Sequence, residues 1–526
     1  MRIRWKLGVA AMLVALVATG CGSSGGGSHT PVENGTFTYG INYDPGSSFD
    51  PYTNLKLLQV STLAYDTLVH VAPDGKLIPG LAEQWSATTR SATFTIRKGI
   101  TCSDGTPLTA GAVAKAINFV ANPGNHVVLV GLTLPLTQFS ATADEAKSTV
   151  RLKLADPFSF VLEAFGRLAI VCPSGLAHPE QLAKHSEGTG PYLLDEIVPG
   201  DHLTFKRRDG YAWGPDGART TTQMPSRIDL RVVTNDTTAA NLLQSGQLNA
   251  AYIGGADAKR LQAQHLFSQP TEKQYGLLAF NQRPGRVLAD QALRRALVTG
   301  LDLDELAKVA TGGSGRRAPS FIPVKPSVCD YGSVAGNLPG YDPTKAKQLL
   351  TQAGWVPGPD GVRVKGGKRL SLAFHYQNYD LGSTVTSVVE LMQQQLKELG
   401  VKTTLTGDDL NGSLNVLFGT GDWDIFWGEQ GFQYPSDLLL SYSGSPPPTG
   451  QNFTGVVNHE VDQLAPRALS ASSTRSCPVW QQIEESLIRN VNLIPVANAI
   501  VPIFGKAAEF RVVAGILEPT SIRMYR

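Results

Sequence analysis

Two rhythms alternate along the body of the chain. Short runs with apolar residues at every second position read as half-buried strands, and longer stretches with apolar residues at helical spacing read as amphipathic helices. Phe37–Ile41 is a strand, stopped by the Asp44-Pro45-Gly46-Ser47 turn. Leu55–Val71 has helical spacing through Leu58, Leu63, Leu68 and Val71, and Pro73-Asp74-Gly75 ends it. Ala92–Arg97 alternates as a strand, Thr109 is a good N-cap for a helix to about Ala121, Val150–Leu154 is a strand, and Phe158–Ala169 reads as a helix. Gly188-Thr189-Gly190-Pro191-Tyr192 is a tight loop into a strand, Asn235–Gln244 is helical, and a short strand lies near Ala250–Ile253. The second half repeats the mixture without repeating the sequence. Tyr275–Asn281, Leu370–Tyr376 and Val401–Leu405 are strands; Asp290–Thr299, Asp302–Ala310, Asp342–Ala353 and Ser383–Leu399 are helices, the last two each closed by a glycine. An irregular stretch, Thr311–Pro339, separates two of these helices. The pattern predicts an α/β protein with no internal repeat.

The first residues differ from everything after them. Arg2, Arg4 and Lys6 precede an apolar run, Leu7–Val17, that ends in Ala18-Thr19-Gly20-Cys21 and a Gly/Ser tether. A basic head, a short apolar stretch and small residues before the cut describe a secretory signal, and the run is too short for a bilayer span of about 20 residues. Small residues before a cysteine, then a polar tether, resemble a bacterial lipobox, although Ala18 stands where Leu is more usual. That resemblance implies cleavage after residue 20 and acylation of Cys21, which would anchor the mature chain firmly to a membrane surface.

With 526 residues, 42% apolar and 17% charged, the chain can bury large cores and is not a disordered polymer. Its formal charge is +2; losing Arg2, Arg4 and Lys6 turns that into −1, so no basic field exists for a nucleic acid. Of five cysteines, Cys21 is spoken for, and Cys102, Cys172, Cys329 and Cys477 form an even set in an oxidising location. Four cysteines allow three pairings, among which sequence alone does not choose.

Catalytic motifs are missing. There is no G-x-S-x-G elbow, no H-E-x-x-H and no G-x-G-x-x-G after a strand. Gly361–Lys368 superficially suggests a phosphate loop, but Gly367 holds the place of its Lys, and a basic hairpin turn is the better reading. The nine His are scattered, and no Cys/His cluster has zinc spacing, so neither a metal site nor a cofactor is expected.

A set of short motifs organises the chain. Leu81-Ala82-Glu83-Gln84-Trp85 leads to Phe94–Ile100 and then Ser103–Ala110; later come Gly188–Tyr192, Leu278–Asn281 with Asp290–Leu297, Tyr341–Trp355, Gln395–Val401 and Val461–Leu464. In this order and spacing they resemble the peptide/nickel family of extracytoplasmic solute-binding proteins, family 5, which serve ABC importers. The likeness runs from Phe37 to Gly505, with Ala112 where that family usually has an acid. It implies a two-lobed periplasmic-binding-protein-like fold (type II, cluster C): a signal at 1–20, a tether at 21–32, lobe I at 33–274 with an inserted subdomain near 60–175, lobe II at 275–498, and a return to lobe I at 499–526. Pairing each cysteine within one lobe of that architecture gives Cys102–Cys172 and Cys329–Cys477.

The resemblance also implies a function without covalent chemistry. A solute, an oligopeptide as first choice, bridges the lobes and shifts their open–closed balance, and membrane permease subunits receive it. The protein would work as a lipid-anchored monomer facing outward. In peptide-binding members a Trp and then an acid occupy the loop equivalent to Asp422–Asp437, the acid holding the peptide's α-ammonium. Here Trp427 and Glu429 are the nearest matches, at shorter spacing and with Glu for the usual Asp. Gln430, Gln433 and Tyr434 add amide and phenol groups that also suit a sugar. Tyr43, Asp44, Ser47 and His126 are candidates from loops facing the gap, while Gly188–Gly190 and Tyr192 read as shaping residues. An oligosaccharide or metal chelate is the alternative solute, and a secreted hydrolase or a sensor domain the alternative class.

Overall fold

The computed structural model describes residues 30–323, 325–379, 384–429 and 431–526. The signal, Cys21 and Gln430 lie outside the described residues. One large mixed sheet carries the architecture. From one edge its strands are Lys402–Asp408, Ser371–Gln377, Ile425–Gly428, Phe267–Phe280, Leu493–Gly505, Ala250–Tyr252, Thr36–Ile41, Arg227–Val232, His202–Arg207 and Tyr192–Val198, with Gly315–Arg317 paired off the path. At its centre Phe267–Phe280 and Leu493–Gly505 form a long antiparallel ribbon. One half of the ribbon pairs with Ala250–Tyr252 of the first lobe, and the other half with Ile425–Gly428 of the second. The ladder slips around Gln274, Gly276 and Leu277, where the ribbon passes from lobe to lobe. Such an irregularity bends a strand locally.

A separate four-stranded sheet, Ala82–Thr88, Ser91–Ile96, Phe139–Asp144 and Thr149–Leu154, builds the inserted subdomain with the helix Ala110–Ala121 across it. That helix starts where local chemistry says it must, because Thr109 Oγ1 accepts from the N–H of Ala112. The segment after the first strand departs from the helical reading. Leu55–Leu57 and Ser61–Leu63 are single tight turns, and Val69–Val71 pairs with Leu77–Pro79. Of the apolar positions read there, Leu63 and Leu68 are buried, whereas Leu58 is exposed and Val71 half-buried; Leu57 is buried in place of its neighbour. The backbone follows distant partners instead, above all those of Asp66. β-Branched Val60, Thr62, Thr67 and Val69 also weaken any helix here. Phe158–Ala169 shortens likewise to Val161–Phe165, because Ser159, Phe160 and Glu163 are engaged across a lobe boundary.

There the inserted subdomain meets the second lobe. Ser159 Oγ donates to the Ala468 carbonyl at 2.8 Å, the Ser473 hydroxyl donates to Glu163, and Tyr434 Oη donates to the Glu163 carbonyl at 2.7 Å. Phe160 stacks on Tyr434 with ring centroids 5.6 Å apart. Among the described residues two disulfides are present, Cys102–Cys172 and Cys329–Cys477. Among the described residues no helix is long and apolar enough to cross a membrane.

Candidate ligand cleft at the hinge

Strand direction decides where a cleft forms. In the first lobe Thr36–Ile41 runs parallel to Arg227–Val232 and to Ala250–Tyr252; in the second, Ser371–Gln377 runs parallel to Lys402–Asp408 and to Ile425–Gly428. The carboxyl ends of the two sets approach the ribbon from opposite sides. Tyr252 ends beside Ile503, whose ribbon partner is Gln269, and Gly428 ends beside Leu277. They bracket Pro270–Gly276, which becomes the floor between the lobes. Ligands of open α/β sheets bind outside strand carboxyl ends.

The floor alternates in chemistry. On one face Lys273 lies 3.4 Å from Glu429 and 6.0 Å from the centre of the Tyr275 ring. On the other, Glu272 meets Arg316 at 3.1 Å and accepts from Asn498. The Glu429 N–H donates to Gln377 Oε1 at 3.1 Å, which fixes the loop as it leaves its strand. Lys273 and Glu429 are each roughly one-fifth exposed. Burial, and then the Glu429 carboxylate among nearby charges, raise the Tyr252 phenol above its usual range. Asp236 accepts from the Gly254 N–H at 3.1 Å and is likewise raised by burial.

The candidate residues separate into groups. Glu429 sits at the floor. Trp427 is wholly buried in the second lobe's core, its ring against the backbone of Gly276, so it shapes the hinge from behind. Tyr434 is buried between the lobes, and its neighbour Gln433 is half-buried; their N–H groups both donate to Asp437. Tyr43 is half-buried against the first lobe's core. Asp44 closes a turn by accepting from the Gly46 N–H at 2.8 Å; Ser47 and His126 are exposed, the latter left-handed after a short turn. Gly190 packs its backbone on Ala64, where a Cβ would overlap main-chain atoms, and its N–H donates to the Ala64 carbonyl. Its role is shape. Lys273, Tyr252, Tyr275 and Gln377 are absent from the candidates read in the sequence. The readable signal was the polar alternation Thr271-Glu272-Lys273-Gln274 inside a strand otherwise fit for a core.

A family model described as bacterial extracellular solute-binding proteins, family 5 Middle, matches residues 76–449. The chain belongs to this family. It is 28% identical to the glutathione-binding protein GsiB of Escherichia coli O157:H7 over 453 residues, covering 81% of this chain and 82% of that protein. A substrate binding protein from Microbacterium hydrocarbonoxydans, solved with 4-hydroxybenzoate hydrazide, is 26% identical with a TM-score of 0.74 and 93% and 99% of the two chains covered. The oligopeptide-binding protein AppA of Bacillus subtilis, solved with a nonapeptide, shares the fold at 19% identity and TM-score 0.74, over 94% and 100% of the two chains. These relatives are solute-binding proteins, and their folds are two-lobed.

Proposed function

We propose that this family 5 protein captures a peptide-like solute in the hinge cleft and passes it to an ABC importer, without chemical change to the solute. The observation that carries the reading is the convergence of both sets of strand carboxyl ends on a floor holding Lys273 and Glu429. Each charge neutralises the other in the ligand-free cleft. A ligand with only an ammonium group would take Glu429 and leave Lys273 beside it as a like charge. A ligand presenting both a carboxylate and an ammonium, as a free amino-acid head does, replaces each partner and leaves no charge unmatched. That favours short peptides or γ-linked peptides with free termini, in line with a relative that is a glutathione-binding protein.

Glu429→Gln is expected to weaken binding of free-amine peptides about tenfold, one charge-assisted hydrogen bond's worth, and to leave N-acetylated ones unchanged. Lys273→Met is expected to do the same for free carboxylates against C-terminal amides. Calorimetric titration of the four peptide forms checks both. Equal losses for blocked and free forms would refute the charge-matching role, and a peptide panel that gives no binding where saccharides do would refute the solute class.

The protein is further proposed to work outside the cytoplasm, tethered through an acylated Cys21, as a monomer. Cys21→Ser is expected to move it from the membrane fraction to the soluble one. Unchanged membrane retention would exclude this anchor.

A further inference from the structure

The carboxyl ends of the second lobe's parallel strands face the hinge, and their amino ends carry a separate small sheet. Val356–Pro357, Arg363–Lys365 and Lys368–Arg369 form it. The Leu370 N–H donates to the Arg363 carbonyl and the Lys402 N–H to the Leu370 carbonyl, which joins it to the edge of the large sheet. Its last two strands are the basic hairpin that turns at Gly366 and Gly367. Five exposed cations gather here. Lys365, Lys368 and Arg369 stand on the hairpin, Lys402 opens the neighbouring strand, and Lys347 lies on the helix Pro343–Gln352, where its carbonyl accepts from Arg363 at 3.1 Å.

Among the described residues two carboxylates meet these cations. Asp290 lies 3.8 Å from Lys365, and Asp360 pairs with Arg369. Lys347, Lys368 and Lys402 form no ion pair among the described residues. Lys365 and Lys368 are directly opposite in the ladder, where like charges destabilise the pairing. Beneath them Arg363 is a buried guanidinium whose acceptors are the Leu399, Trp355 and Lys347 carbonyls and the Thr351 hydroxyl, none of them charged. Asp302, Glu305 and Glu398 act instead on Tyr341, at the start of the helix. Without residues 1–20 the chain has a formal charge of −1, so this end is positive by segregation and not by overall composition. Beside the cations Val356 is 46% exposed, and Pro357 after it is exposed too. Cations suit a plane of phosphate headgroups, and exposed apolar side chains next to them suit its boundary with the acyl chains. A hydrophilic polyanion would use only the cations.

We propose that this basic end of the second lobe is a contact surface for an anionic membrane. It rests on the reading above, in which an acylated Cys21 keeps the body beside a membrane; the patch then sets which end of the body turns to it. The test uses purified Cys21→Ser protein, which has no acyl group, sedimented with vesicles of phosphatidylglycerol and phosphatidylcholine in equal parts or of phosphatidylcholine alone. The protein is expected to bind the anionic vesicles at low salt, to ignore the neutral ones, and to be released at about 1 M salt, which screens charges beyond about 3 Å. Each cation near an anionic surface strengthens binding about fivefold, so Lys347→Ser, Lys368→Ser and Lys402→Ser together weaken it about a hundredfold. These three break no ion pair, and the triple variant is expected to melt and to bind peptide as the parent does. Lys98→Ser, Arg151→Ser and Lys153→Ser, equal in charge but exposed on the inserted subdomain, leave vesicle binding nearly unchanged. Equal losses in the two triple variants, or binding that ignores lipid charge, overturn the proposal. Binding of soluble polyphosphate as tightly as the vesicles, phosphate for phosphate, overturns it too and assigns the patch to an anionic polymer. Failure here is distinct from failure of the solute-capture reading, which the peptide titrations decide, and of the anchor, which the fractionation of Cys21→Ser decides.

Discussion

Gly276→Ala is expected to destabilise the protein by about 3 kcal/mol and to weaken solute capture, although it adds one methyl group. A Cβ at this position would overlap Trp427 at Cζ2, Cη2 and Cε2. Overpacking of a filled core costs about 1–3 kcal/mol, and a fully buried indole stands at the upper end, since its ring has no empty space to enter. The position magnifies the effect. Gly276 is where the ladder between the two long strands slips, so displacing Trp427 shifts the strand Ile425–Gly428 and with it Glu429, one residue beyond. Thermal melting and peptide titration of Gly276→Ala, Trp427→Phe and the double variant measure this. The smaller Phe ring lacks the atoms that meet the new methyl, so the alanine substitution should be much better tolerated in the Phe background. If Gly276→Ala costs the same in both backgrounds, the contact with Trp427 is not the reason for glycine at the hinge. Trp427→Phe also removes a buried indole N–H that has no hydrogen-bond partner, which offsets part of the lost packing.

That hinge shows how far the sequence reaches. Elements set by neighbouring residues were legible. The helix Ala110–Ala121 begins and ends as read because its cap lies three residues from the amide it serves, and the paired glycines 366 and 367 sit in left-handed turn conformations, as a hairpin requires. Leu55–Val71 was misread because its apolar spacing satisfies either a helix or two tight turns, and Asp66 decides between them through Thr189, Tyr211 and Trp213, all distant in sequence. The ribbon strand, read as Tyr275–Asn281, extends back to Phe267. Pro270 and the polar run after it argue against a central strand when read locally. At the hinge floor, the sequence motif drew attention to Glu429 but not to Lys273 beside it, because nothing near either residue announces the other. Trp427 shows the converse: an aromatic in a ligand loop and an aromatic in a core have the same local sequence, and only the position of Gly276 opposite it distinguishes them.

The protein is expected to be more stable near pH 5 than at pH 8, with the difference on the order of 4 kcal/mol. Three buried carboxyls produce it. Asp437 is raised to about 7 by burial, against donation from the Tyr434 and Gln433 N–H groups. Glu484 is raised to about 7 by burial, against Ser333, Tyr331 and the Phe321 N–H; Asp66 is raised to about 6 by burial, against Trp213, Tyr211 and Thr189. Each takes up its proton in the folded chain at a pH where the unfolded chain, with ordinary carboxyl values, does not. Stability therefore rises as pH falls from 8 through these values, and the gain is complete only near the unfolded carboxyl range around 4. His70 opposes it. Held near 4 when folded, it gives the unfolded chain an extra proton below about 6.5, and so takes back part of the gain between pH 6.5 and 5. At about 1.4 kcal/mol for each pH unit that separates a folded from an unfolded value, three carboxyls outweigh one imidazole. Below pH 4 the trend reverses, because carboxylates held low by partners, such as Asp257 with Thr237 and Arg260, lose them on protonation. Denaturant unfolding across pH 3–8 would show stability rising as pH falls from 8, to a maximum near pH 4. Glu484→Gln keeps acceptors for Ser333 and the Phe321 N–H without a titrating group, and is expected to flatten the curve between pH 5 and 7 by about one proton. Stability that falls steadily from pH 8 to 5 in the wild-type protein, or an unchanged slope in Glu484→Gln, would show that these carboxyls reach enough water to titrate normally.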